Sequence, residues 1–377
     1  MLNGIKSKLV LKNIFNKILT ITKLKIFKHN KALLYKLDLT IKDFEQYNKL
    51  IKMNKECNLN IKDLDIETLN LHDKKFREEK LKYLNEIEFK ELKELNLVYN
   101  GIREDIKELK NIHYNKLQKL DLSFNSIEEI TFLENESFKE LRELKFRFNF
   151  IKDINIFQKA FFINKLQKLD LSLNSISDIS ILTNENFKEL KELNLSNNKI
   201  KDLDILSKTK FNKLELLDLR GIRLSNINYL YKLNFKELKI LNLSDNKIND
   251  IRIFQYVKFD KLKELNLCVN EIKDIEVFSR VKFKNLEKLE LRCNEISDLA
   301  VFENVCFKGL KELDLCANNI KDVSIFEKNV FDKLEKLDLE SNNIYNLSIL
   351  EKMDIKELKY DKRGEKKKSV WKYLYEL

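Results

Sequence analysis

One phrase of sequence returns eleven times and leaves the chain few ways to fold. Its clearest copy is Leu166-Gln-Lys-Leu169-Asp-Leu171-Ser-Leu-Asn174-Ser-Ile176-Ser-Asp178-Ile179. The first Leu of each copy stands at Leu92, Leu117, Leu141, Leu166, Leu190, Leu214, Leu238, Leu262, Leu286, Leu310 and Leu334, in steps of 25, 24, 25 and then 24 residues throughout. A unit this short cannot bury its own apolar side, so successive units must stack and share a continuous core. The spacing therefore predicts one elongated array rather than two globular domains.

Inside each unit the pattern assigns directions. Leu169 and Leu171 flank Asp170, so alternation sends both Leu side chains inward from a short strand and the residue between them outward. Stacked copies should align these strands in a parallel sheet. An Asn column follows at Asn100, Asn125, Asn149, Asn174, Asn198, Asn246, Asn270, Asn294, Asn318 and Asn342. An amide both donates and accepts, so it suits backbone groups left unpaired where the strand turns away. One unit breaks the column: Ile222 stands in place of Asn, with Gly221 before it. Asp153, Asp178, Asp202, Asp250, Asp274, Asp298 and Asp322 are placed to accept an N–H that opens a short helical turn. A Phe column, from Phe89 and Phe138 to Phe307 and Phe331, reads as a stacked spine inside the core.

This pattern resembles the leucine-rich repeat, and its N-x-I-x-D-[IL] tail is similar to repeats of bacterial internalins and of the type-one protein phosphatase regulators. The resemblance spans residues 66–358. It implies an α/β solenoid: a curved horseshoe with a parallel β-sheet on the concave face and short helices or turns on the convex face. It also implies a protein partner held on the concave face.

The ends differ from the array. Residues 1–56 show helical periodicity and are expected to form a helical N-terminal cap; 57–91 hold a worn first repeat within the solenoid of 57–358; and 359–377 read as a C-terminal cap and basic tail. The stretch Leu11-Lys-Asn-Ile14-Phe15-Asn-Lys-Ile18-Leu19, with Leu24 and Lys28-His-Asn-Lys31, resembles an F-box. That alternative implies a substrate receptor of a ubiquitin ligase with a Skp-type adaptor as partner. The formal charge of +11 sits in these ends, with 13 Lys against 4 acids in 1–56 and 7 basic against 3 acidic residues in 359–377. The repeats themselves are near neutral.

Lysines 6, 8, 12 and 17 interrupt any apolar leader core, and the five Cys are odd in number and not paired in the ends. A reducing, cytoplasmic setting is the expectation. The run from Lys362 to Lys368 resembles a nuclear-import signal and makes the nucleus the alternative. No stretch is long and apolar enough for a membrane span. Catalytic, metal and cofactor signatures are not found, and Cys268, Cys293 and Cys316 come without a C-x-x-C pair or a nearby His. The expected function is a non-enzymatic scaffold or adaptor, with no cofactor and no small-molecule substrate.

Two features mark where a protein partner would touch. The outward strand residues are Asn96, Asp121, Lys145, Asp170, Asn194, Asp218, Asn242, Asn266, Glu290, Asp314 and Asp338, an acidic stripe. It would repel nucleic acid and favour a basic protein segment. Just before the Asn column, Tyr99, Phe124, Phe148 and Leu173 place large apolar groups at one rim, where later units have Asn197, Asp245, Ala317 and Ser341. Arg147, Arg220 and Arg292 stand on the same face and are expected to meet a partner's acids.

Overall fold

The structure, a computed structural model, describes Tyr35 and residues 41–328 and 330–361. The F-box-like segment and the run from Lys362 to Lys368, with the expected Val370–Trp371–Leu374 contact, lie outside the described residues. The chain divides into two compact units, residues 1–166 and 167–377.

In the first unit, helix α1 (Ile41–Cys57) is that part of the expected helical stretch which the structure describes. Tyr47, Leu50, Met53 and Cys57 fall on one face at helical spacing and are buried. Gln46 ties the helix to the turn after α2 (Lys82–Glu86): its Nε2 donates to Glu86 O at 3.1 Å and its Oε1 accepts Glu88 N–H at 2.7 Å. Four parallel strands follow in chain order, β1 (Thr68–Asn70), β2 (Glu94–Asn96), β3 (Lys119–Asp121) and β4 (Glu143–Lys145), with Leu69, Leu95, Leu120 and Leu144 in register.

The second unit continues the same grammar over nine strands: β5 (Lys168–Asp170), β6 (Glu192–Asn194), β7 (Leu216–Asp218), β8 (Ile240–Asn242), β9 (Glu264–Asn266), β10 (Lys288–Glu290), β11 (Glu312–Asp314), β12 (Lys336–Asp338) and β13 (Glu357–Lys359). All pair in parallel with their chain neighbours and in register at the central Leu. In each of β5 to β12 the middle residue is buried and the flanking two face solvent at least in part, as alternation requires.

Three kinds of polar side chain recur from coil to coil. The third strand residue, Asp or Asn, accepts the backbone N–H two positions on: Asp170 Oδ1 takes Ser172 N–H at 2.9 Å and Asn194 Oδ1 takes Ser196 N–H at 3.0 Å. The strand therefore ends after three residues in an Asx turn. The Asn column then bridges coils. Asn294 Oδ1 accepts Ile272 N–H at 3.0 Å, and its Nδ2 donates to Leu267 O and Leu291 O at 3.0 Å each. On the return path the Asp column opens short 3-10 turns, as when Asp274 Oδ1 accepts Glu276 N–H at 2.8 Å.

The apolar core is continuous within each unit. Phe187, Phe211 and Phe235 follow one another at centroid distances of 6.5 and 5.9 Å. Phe278 and Phe302, from the 3-10 turns, meet Phe307 and Phe331 edge-on at 5.9 and 5.4 Å. Each fully buried ring or Leu side chain contributes about 1.5–3 kcal/mol, which is what holds coils that have little regular secondary structure.

Candidate partner-binding surfaces

The rim residues expected from the sequence share an unusual backbone. Tyr99, Phe124 and Phe148 have φ of 61°, 54° and 56°, the left-handed region that bulky side chains rarely enter. Holding a non-Gly residue there costs about 1–3 kcal/mol unless the surroundings impose it. Here they do: Tyr99 N–H donates to Ser123 O at 3.1 Å and Phe124 N–H to Arg147 O at 2.7 Å, both on the next coil. The rings are directed out of the coil, with Tyr99 60%, Phe124 37% and Phe148 51% exposed.

They form a ladder in the first unit. The centroids of Tyr99 and Phe124 are 6.3 Å apart; Phe124 and Phe148 stack at 5.3 Å with an interplanar angle of 16°. The Arg147 guanidinium lies over the Phe124 ring at 5.9 Å. Phe150 adds another exposed ring that the sequence reading passed over. Its signal was available, since Phe150 occupies a column otherwise held by residues such as Gly101, Ser126, Ser175 and Lys199. Leu173, the fourth member of the column, belongs to the second unit, where it is half-buried with φ of 53°.

The acidic stripe is present but has a structural occupation. Asp121, Asp170, Asp218, Asp314 and Asp338 each spend Oδ1 on the Asx turn. That explains why Asn alternates with Asp in the column, and leaves one carboxylate oxygen of each Asp for other contacts. Lys145 and Glu290 depart from the rule and pair instead with their strand neighbours, Glu143 at 2.7 Å and Lys288 at 2.9 Å.

Two of the three arginines also stand near acids of their own chain. Arg292 is engaged by its own chain: Nε meets Asp314 Oδ2 at 2.9 Å and Nη2 stands 3.8 Å from Asp338 Oδ2. Arg220 Nε lies 3.8 Å from Asp245 Oδ2. The Arg292 group borders a cleft of about 140 Å³ lined also by Lys288, Glu290, Glu312, Lys336 and Lys359. Burial, and then the neighbouring charge of Asp314, pushes Asp338 up to about 6. Burial likewise raises Asp218. Asp314, Cys316 and Asp338 offer ligand atoms within 4.8 Å of one another, but the guanidinium of Arg292 already supplies positive charge there. Cys268 and Cys316 are buried and Cys293 half-buried.

The first strand residue carries a pattern that the sequence reading did not use. In the second unit it runs Lys168, Glu192, Leu216, Ile240, Glu264, Lys288, Glu312, Lys336 and Glu357. Lys168 pairs with Glu192 at 2.6 Å and Lys336 with Glu312 at 2.7 Å across neighbouring strands. Two adjacent strands interrupt this charged ladder, because Leu216 lies directly beside Ile240. Both are half-buried on the face that bears Asp218.

A profile of leucine-rich repeats in two copies matches residues 164–208 and again 260–304, and a profile of the single leucine-rich repeat matches 237–251. The fold is that of leucine-rich repeats. Among solved structures, an internalin from Listeria monocytogenes is 21% identical, with 93% of this chain and 98% of that chain covered and a TM-score of 0.62. The LRIM1/APL1C complex is 24% identical over 79% of this chain and 50% of that chain, at 0.54. A TDR receptor is 18% identical over 78% and 55%, at 0.54. A search of curated proteins gives no match. These likenesses are ones of fold. Within the leucine-rich repeats of this chain, the inward Leu, the Asx residue and the bridging Asn are committed to the scaffold. The rim residue and the first strand residue are where one repeat is free to differ from the next.

Proposed function

We propose that the chain is a non-enzymatic protein-binding module whose first unit engages a partner through the Tyr99–Phe124–Phe148 ladder. One observation carries this reading. Aromatic residues of three consecutive repeats occupy a left-handed backbone position that the second unit fills without any aromatic ring, with Leu173, Asn197, Gly221, Asp245, Val269, Cys293, Ala317 and Ser341, all at φ between 53° and 65°. The fold gains little from rings that point into solvent, whereas clustered exposed aromatics with an Arg beside them are the usual centre of a protein interface. One of the solved structures of this fold is itself the complex of LRIM1 with APL1C.

The test exploits the backbone. Phe124→Asn with Phe148→Asn removes two rings and installs a residue type that tolerates the left-handed region, so the melting temperature should hold or rise. Partner captured from a lysate should fall at least about tenfold, the equivalent of losing one modest hot spot. Undiminished capture by the folded double variant would remove the ladder from the reading.

A further inference from the structure

We infer that the second unit carries a separate docking patch at Leu216 and Ile240, fitted to an extended basic segment of a partner protein with one apolar anchor. The inference does not depend on the aromatic ladder of the first unit. On the exposed face of a sheet, the first strand residue is solvated and needs no apolar group, and the flanking strands fill it with Glu and Lys. Among the described strands of the second unit, only β7 and β8, side by side, carry aliphatic side chains there. In register on neighbouring strands, they form an apolar saddle two strands wide.

The saddle has acidic shoulders. Glu192 precedes it on β6 and Glu264 follows it on β9, in register with Leu216 and Ile240. Asp218 lies on the same face, two residues beyond Leu216. Its Oδ1 is held by Arg220 N–H at 2.9 Å and its Oδ2 accepts Asn242 Nδ2 at 3.2 Å. Arg220, farther along the face, has its Nε 3.8 Å from Asp245. Glu192 is already met by Lys168 at 2.6 Å, in a half-exposed pair that a second cation can share. Apolar centre and acidic shoulders together define the occupant: an aliphatic side chain bracketed by Lys or Arg.

Spacing sets the shape of that occupant. Strands lie about 4.8 Å apart, so Glu192 and Glu264, three steps apart, are about 14 Å from each other. An extended chain rises about 3.4 Å per residue. A segment crossing the strands would therefore place basic residues four positions apart with the apolar residue between them. Attraction of this kind is screened by salt, because its charges are exposed.

A random linear peptide library displayed on phage, selected on the full chain carrying Phe124→Asn and Phe148→Asn, reads this patch without the ladder. Retained peptides should be enriched for an apolar residue flanked by Lys or Arg, and should elute as salt is raised. Leu216→Lys with Ile240→Lys completes the charged ladder and should retain the same peptides at least about tenfold less, with an unchanged melt. If that variant fails to fold, Leu216→Ser with Ile240→Ser takes its place and should show the same loss. Equal retention by a folded variant, acidic retained peptides, or no retained peptide at all would each overturn the inference.

Discussion

Asn270 Oδ1 accepts the backbone N–H of Ile248, 22 residues earlier, at 3.0 Å, while its Nδ2 donates to Leu243 O at 3.1 Å and to Leu267 O at 3.0 Å. One buried amide thus serves two successive coils at once. Removing it leaves an N–H and a carbonyl of the preceding coil buried without that partner. Asn270→Ala should therefore cost about 1–3 kcal/mol of unfolding free energy. Asn186→Ala, at an exposed turn position, should stay within about 0.5 kcal/mol. Equilibrium denaturation of the two variants compares them directly, and equal small losses would mean that the ladder of amides is not what joins the coils.

The unit without the bridging Asn has its own device. Gly221 takes φ of 65°, and a Cβ built there would lie 2.3 Å from Asn197 Oδ1 and 3.0 Å from its Cγ. Arg223 also has positive φ, at 63°, and Ile222 is buried in the place of the amide. Gly221→Ala should cost about 1–3 kcal/mol, combining backbone strain with the clash. Adding Asn197→Ala removes the clash but leaves the strain. The double variant should therefore be more stable than the sum of the singles predicts, by about 0.5 kcal/mol or more. Strict additivity in the melts would show that the two residues are not in contact.

Much of this was readable from the sequence because a fixed period converts every position into a place. The inward direction of Leu169 and Leu171, the Asn bridge, the Asp that opens each 3-10 turn and the Phe spine all followed from alternation and from what each side chain can donate or accept. The Asx turn did not, since a column that mixes Asp with Asn reads as a charged surface until its Oδ1 is seen on the N–H two residues on. The contact of Arg292 with Asp314 is not legible for a related reason: it crosses to the next coil, and spacing alone does not say which of several acids an arginine meets. The left-handed φ of Phe124 and Phe148 was hidden as well, because a bulky aromatic is what that conformation ordinarily excludes. Leu216 and Ile240 were visible in the letters. They gained meaning only once the neighbouring strands showed Lys and Glu paired across the same face.

Asp338, at the cleft beside Arg292, makes stability depend on pH. Its side chain is only 13% exposed, it faces Asp314, Arg292 and Glu340, and it is held at about 6 against an ordinary value of 3.8, by burial first and the Asp314 charge second. A carboxyl raised on folding binds its proton more tightly in the native state. Its contribution to stability is then complete below about 3.8 and is lost as pH rises through about 6. Asp338→Asn keeps the oxygen that accepts Glu340 N–H at 3.0 Å and removes the charge, as Asn194, Asn242 and Asn266 do naturally in the same column. Above pH 7 the variant should be more stable than the wild type by about 1–3 kcal/mol, after allowance for the partial solvent exposure of the group. Arg292 retains Asp314 at 2.9 Å, so the change should not strand a buried cation. The gap should close as pH falls from 6 to 4, since the wild-type carboxyl becomes neutral too. Unfolding free energies of both proteins across pH 4 to 8 decide the matter: parallel curves through that window would mean that the ionised Asp338 is fully compensated by Arg292.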